Sequence, residues 1–174
     1  LASLNAAHAN GLCGNPAEIG VSVVGGSHGG FLGCHFAGQF PQLVRAAAVR
    51  NPVCDISSMV ASSDIPDWCC KEALGDAKKF TLSPCLADLA TMRACSPAAH
   101  AETAAAVPHL FLIGGADRRV PPSQGLLHGK LLKEKGAEVV TTYYFPEDNH
   151  PLSRPRTNLQ LWLLTLGFLM QHHR

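Results

Sequence analysis

The 174-residue sequence has little charge. Asp, Glu, Lys and Arg together make up 16% of it, and the net charge is +1 without any basic cluster. No nucleic-acid partner is therefore expected. No hydrophobic run is long enough for a membrane span. The most apolar stretch, Leu159 to Met170, is too short and begins beside Asn158 and Gln160, so it reads as a core-packed helix. Leu1 to Asn10 lacks the basic start and sustained apolar core of a signal peptide. The seven cysteines include no C-x-x-C pair and no Cys/His spacing of a zinc site, and Cys69 and Cys70, being adjacent, do not easily bridge each other. Reduced thiols in a cytosolic protein, with no metal, are the simplest account. The nine histidines are equally scattered. Hydrophobic residues reach 47%, which excludes a disordered chain and is enough for one domain with a sizeable core.

What the sequence does have is a serine framed by glycines, Gly25-Gly26-Ser27-His28-Gly29-Gly30. An apolar run, Ile19 to Val24, precedes it and reads as a buried strand. Phe31 to Ala37 follows and reads as the first turns of a helix. Gly25 to Gly29 fit G-x-S-x-G, the strand–turn–helix elbow that lifts a nucleophilic serine above a sheet edge. Gly25 and Gly29 are expected to remove side chains that would collide with strand and helix. The five residues alone equally describe a tight connection; their setting favours the nucleophile. A phosphate loop fits poorly because no Lys-Ser/Thr follows the glycines.

The rest of the chain alternates. Leu1 to Asn10 looks helical, and a helix from Gly29 to about Gln39 stops before Pro41. A second strand is centred on Ala46 to Val49, a third spans His109 to Gly114 and a fourth Glu138 to Phe145. Helices are expected from Ser123 to about Lys135 and from Arg156 to about His172. Between the second and third strands, Asp55 to Pro108 holds short helical pieces around Ser57–Ala61, Asp67–Leu74 and Leu86–Ala94. So long an excursion is expected to border a site. The pattern predicts an α/β fold, a mostly parallel sheet with helices on both faces.

In such sheets active groups gather at the carboxyl ends of strands. That rule selects Asp117, in the loop after the third strand, and His150, in the loop after the fourth. The order Ser27, Asp117, His150 is the Ser…Asp…His order of α/β-hydrolases. His150 would take the serine proton and Asp117 would hold the imidazole tautomer. The backbone N–H of His28, next after the nucleophile, is the first oxyanion donor. Each residue has a plainer role available: Asp117 as a turn former, His150 as one histidine among His28, His35, His100, His109 and His128. Asp148 competes for the acid role from the same loop as His150.

These residues resemble the C-terminal catalytic domain of acylaminoacyl-peptidases, within the prolyl oligopeptidase family of serine peptidases. Gly25 to Phe31 is similar to that family's nucleophile motif. Arg50-Asn51-Pro52-Val53 and Ser63 to Cys69 are similar to stretches more specific to the animal enzymes, Asp117 to Pro121 to the acid loop, and His150 with Leu152 to the histidine loop. The resemblance implies hydrolysis of short N-acylated peptides to release an N-acyl amino acid, with no metal or organic cofactor. It also implies a β-propeller that limits access, a cytoplasmic location and a homo-oligomer in the full-length protein. Trp68 and Arg118 become candidate substrate contacts through it alone.

Residues 1–174 would then form the C-terminal part of an α/β-hydrolase domain, lacking the propeller and the first hydrolase strands, with a bare sheet edge and apolar surface. Pro151 departs from the family pattern; it pushes His150 toward extended backbone angles, which would misdirect the imidazole. Three rival readings remain: a carboxylesterase, a dipeptidyl- or oligopeptidase on the same fold, and an inactive hydrolase-like module acting through protein contacts.

Overall fold

The computed structural model describes residues 1–173. A short helix α1 (Ala2–Ala9) and a single turn α2 (Pro16–Ile19) lead into strand β1 (Val21–Gly26). Asn15 caps α2 by accepting from the Ala17 N–H at 3.1 Å, and Pro16 follows at the first helical position, where its missing N–H costs nothing. The expected strand start at Ile19 therefore moves two residues on. Asn15-Pro16 is thus a helix cap.

After β1 come α3 (His28–Gln39) and β2 (Val44–Arg50), then the excursion: α4 (Ile56–Met59), α5 (Pro66–Leu74), α6 (Leu86–Ala94), a 3-10 turn (Pro97–His100) and α7 (Ala101–Ala104). The chain closes with β3 (His109–Gly114), α8 (Ser123–Glu134), β4 (Val140–Phe145) and α9 (Pro155–His172). Among the described residues the sheet has four strands in the order β1-β2-β3-β4, all neighbours parallel.

The two central strands are near-continuous apolar runs because both their faces are covered. Alternation still sorts their side chains. Ala46, Ala48, Leu110 and Leu112 pack with Leu161 and Phe168 of α9, whereas Val49, Phe111 and Ile113 pack with Cys34 of α3 and Leu132 of α8. The excursion builds a separate cluster, in which Ile56, Met59, Cys69, Cys70 and Met92 close over Phe31. Apolar side chains also remain at the surface, among them Val24 on β1 and Leu159, Trp162, Leu163, Leu166 and Met170 on α9. No helix among the described residues is long and apolar enough to cross a membrane.

The register aligns the strand ends. Gly26 pairs with Arg50, Arg50 with Leu112, and Gly114 with Phe145. The loops carrying Ser27, Asp117 and His150 thus leave the same edge of the sheet.

Candidate active site

Ser27 sits at the bend between β1 and α3 with φ 57° and ψ −122°, a left-handed conformation rare for a residue with a side chain. Its N–H is tied to the Arg50 carbonyl at 2.9 Å, which anchors the bend to the neighbouring strand. A methyl group on Gly25 would lie 2.1 Å from the Gly29 carbonyl oxygen, so glycine is obligatory there. The matching expectation for Gly29 is corrected. A methyl group there would meet nothing within 4 Å, because Gly29 contributes its backbone to the close approach and its own Cα faces open space. The second crowded position is Gly30, where a Cβ would press on Pro52 at 2.8 Å.

The three candidate side chains converge. The His150 Nδ1–H donates to Asp117 Oδ2 at 2.7 Å, and His150 Nε2 lies 2.9 Å from Ser27 Oγ, placed to accept the hydroxyl proton. The other Asp117 oxygen, Oδ1, accepts the backbone N–H groups of Arg119 at 2.9 Å and Val120 at 3.0 Å. With its side chain fully out of solvent, the carboxylate is held by donors on both oxygens and has one orientation. His150 keeps 22% of its side chain exposed, which leaves the Ser27 end of the chain open to a substrate.

Proline 151 does not turn the imidazole away. The chain recovers immediately afterwards: Leu152 adopts φ 51°, its N–H bonds to the Asn149 carbonyl at 3.2 Å and its side chain is buried. Asp148 does not compete for His150. Its Oδ2 accepts from the Thr157 hydroxyl at 2.7 Å, and its backbone carbonyl holds the Ala116 N–H at 2.9 Å.

One positioning residue, Asn51, stood out in the sequence only within the family-like stretch Arg50-Asn51-Pro52-Val53. Asn51 is buried at 3% exposure with φ 39°. Its amide donates to the His150 carbonyl at 2.9 Å while its side-chain oxygen accepts from the Gly114 N–H at 2.8 Å. One side chain thereby ties the end of β2 to the end of β3 and to the histidine loop. The Asn-Pro dipeptide signals only the end of an element; partners 63 and 99 residues away leave no local trace.

His28 opens α3, so its N–H belongs to the first turn, whose donors have no intrahelical acceptor. Its ring is exposed, stacks on Phe31, meets the edge of Trp68 at 5.6 Å and donates Nε2–H to Glu72 at 3.1 Å. Trp68 and Glu72 both come from α5, so the excursion does border the site. Arg118 is exposed and lines a depression of about 380 Å³ with His150, Asn149 and Asp64. The Asp64 N–H reaches the Arg118 carbonyl at 3.0 Å.

A serine on a strained strand-to-helix turn, with an imidazole and a buried carboxylate in line at the carboxyl ends of a parallel sheet, is the arrangement of the α/β-hydrolases. The comparisons with known proteins narrow this class. Residues 7–174 match the model of the prolyl oligopeptidase family. The acylamino-acid-releasing enzyme of Arabidopsis thaliana is 49% identical over 143 residues, which is 82% of this chain and 18% of that enzyme. The enzyme of the same name from Sus scrofa is 42% identical, over 83% of this chain and 20% of the pig protein. The solved Pyrococcus horikoshii acylaminoacyl peptidase superposes with a TM-score of 0.74 at 24% identity, covering 88% of this chain and 24% of that one. That likeness shows the fold. The chain belongs to the prolyl oligopeptidase family and spans about a fifth of the length of these curated relatives.

Proposed function

We propose that the protein is a serine peptidase that hydrolyses short N-acylated peptides and releases the N-acyl amino acid. One observation carries the reading: the unbroken hydrogen-bond chain from Ser27 through His150 to Asp117. In the first half-reaction, Ser27 Oγ attacks the peptide carbonyl as His150 Nε2 takes its proton, and the carbonyl oxygen becomes an oxyanion facing the His28 N–H. His150 then gives the proton to the leaving amine, and an acyl-serine remains. Water, deprotonated by the same imidazole, attacks the ester and frees the acyl amino acid. Asp117 holds the imidazole through Nδ1 and stabilises the imidazolium formed in both halves.

The preference for an N-acylated substrate rests on the acylamino-acid-releasing enzymes, which are 38–49% identical to this chain. Trp68, at the edge of the His28 ring, and Arg118, in the depression beside His150, are proposed to contact the peptide. We further propose that residues 1–174 are the C-terminal part of a larger hydrolase domain that works in the cytoplasm as a homo-oligomer. The apolar side chains left on β1 and α9 would be covered by the remainder of that protein.

The test has two arms. A fluorophosphonate probe is expected to label the folded full-length protein at Ser27, and a protein that stays unlabelled rejects the catalytic reading. Faster turnover of acetyl-alanyl peptides than of simple esters supports the peptidase; the reverse order assigns a carboxylesterase.

A further inference from the structure

On the sheet face covered by α3 and α8, three side chains that the hydrolase site does not use come together. Cys34 projects from α3, Cys54 from the segment leaving β2 and His128 from α8. One donor atom from each, two sulfurs and a ring nitrogen, all lie within 4.8 Å of one another. The residues are exposed by only 1%, 1% and 3%. Such a set is invisible to sequence spacing, since its members stand 20 and 74 residues apart.

Core packing alone does not account for it. The imidazole of His128 packs edge-on to Phe111, at 6.0 Å between ring centroids, but both of its nitrogens lack a hydrogen-bond partner. A buried polar ring normally has at least one of its nitrogens satisfied. The sulfurs offer it little: the Cys54 thiol points to the Pro52 carbonyl at 3.7 Å. A cavity of about 280 Å³ reaches Cys54 and His128 from the side of Asp55, Ser58 and Arg93, which provides an entry path and room for a water molecule.

We propose that Cys34, Cys54 and His128 form a binding site for one thiophilic divalent cation, Zn²⁺. Two sulfurs and an imidazole select a soft or borderline metal over Mg²⁺ or Ca²⁺, which require oxygen donors. On binding, each thiol loses its proton to solvent and His128 binds through the lone pair of a neutral ring nitrogen. The two thiolates then balance the dication, so no net charge is buried, and no electron is transferred. A water in the cavity fills the fourth tetrahedral position. Zn–S bonds of about 2.3 Å set the donors roughly 3.5–4 Å apart. Small side-chain rotations therefore close the set around the ion.

The experiment uses Co²⁺ as the probe on the purified, fully reduced protein. The expected result is uptake of one cobalt per chain, with an intense thiolate-to-metal charge-transfer absorption and tetrahedral ligand-field bands that Zn²⁺ displaces. Cys54→Ser and His128→Leu are each expected to weaken binding at least tenfold, and Cys85→Ser, at an exposed cysteine, to leave it unchanged. X-ray absorption of the zinc-loaded wild type, expected to show two sulfur neighbours and at least one nitrogen, decides the matter without any variant that fails to fold. Absence of stoichiometric cobalt uptake overturns the proposal. So does a Cys54→Ser variant whose charge-transfer band keeps the wild-type intensity and cobalt affinity, or a zinc shell without sulfur.

Discussion

His109 and His150 stand at opposite ends of the same sheet, one at the start of β3 and the other beyond the end of β4. Both rings direct one N–H to an oxygen at 2.7 Å, His109 to the Val107 carbonyl and His150 to Asp117. Their second nitrogens differ. That of His109 is buried without a partner, and burial lowers its pKa to about 4; that of His150 faces a hydroxyl at a partly open edge. At the amino end of β3 the ring is enclosed by packing, whereas at the carboxyl ends the loops are held by polar bonds. A histidine's role here is set by what its second nitrogen meets.

The largest effect is expected at Asp117. Asp117→Asn preserves the shape of the loop but allows the opposite imidazole tautomer, in which Nε2 carries the proton and cannot accept one from Ser27. A loss of kcat on the order of 10⁴ is expected, the scale seen when the acid of such a triad becomes an amide. KM should change far less, since the side chain is buried away from the substrate. Equal losses in both parameters would assign Asp117 to binding rather than to orientation of the imidazole.

The next largest effect lies at the other end. His109 is neutral in the folded state and its pKa is depressed, whereas the unfolded chain titrates near the ordinary value of about 6.5. Below that pH the unfolded state takes up the proton first. Stability is therefore unaffected at pH 7 and is lost as pH falls from about 6.5 to about 4, by roughly 3 kcal/mol from this residue. His109→Phe is expected to cost about 1 kcal/mol at pH 7 through the lost bond to Val107, yet to flatten this part of the curve. Urea unfolding at pH 7, 5.5 and 4.5 measures both. An unchanged acid slope in the variant would move the sensitivity to other groups.

Much of this is legible in the sequence. The third strand and the helix Leu86–Ala94 were placed at their observed bounds because turn residues punctuate both. The order Ser27, Asp117, His150 needed only the rule that strands end where function begins. What escaped has a physical reason in each case. The 3-10 turn at Pro97–His100 and the four-residue α7 are too short to carry a hydrophobic period. The crowding of Gly30 depends on Pro52, a residue on another strand's exit. Asn51 acts entirely through partners distant in sequence, and the Cys34, Cys54 and His128 cluster exists only once α3 and α8 lie on one face.

Asn51 ranks third. Asn51→Ala removes the donor to the part-buried His150 carbonyl and the acceptor for the buried Gly114 N–H together. Each such loss costs about 1–3 kcal/mol, so reduced stability is certain to accompany any loss of rate. The readout that separates positioning from mere folding is the rate of Ser27 labelling well below the unfolding temperature. It is expected to fall about 10- to 100-fold, as a displaced imidazole no longer aligns with the hydroxyl. Labelling at the wild-type rate would show that the histidine loop holds its aim without the strap.

The smallest effect is expected at Glu72, although it lies near the serine. Its bond to His28 joins side chains 29% and 48% exposed, so water competes for both groups. Exposed pairs of this kind contribute up to about 1 kcal/mol. The N–H of His28 proposed for the oxyanion belongs to the backbone, fixed by α3 and by the Ser27 bond to Arg50, and not by the His28 ring. Glu72→Gln, which keeps a hydrogen-bond acceptor, is therefore expected to change the labelling rate by less than about fivefold and to lose even that in high salt. A larger, salt-resistant loss would mean that α5 steers the elbow through its carboxylate. The strength of the carboxyl edge would then come from the excursion as well as from the three strand-end loops.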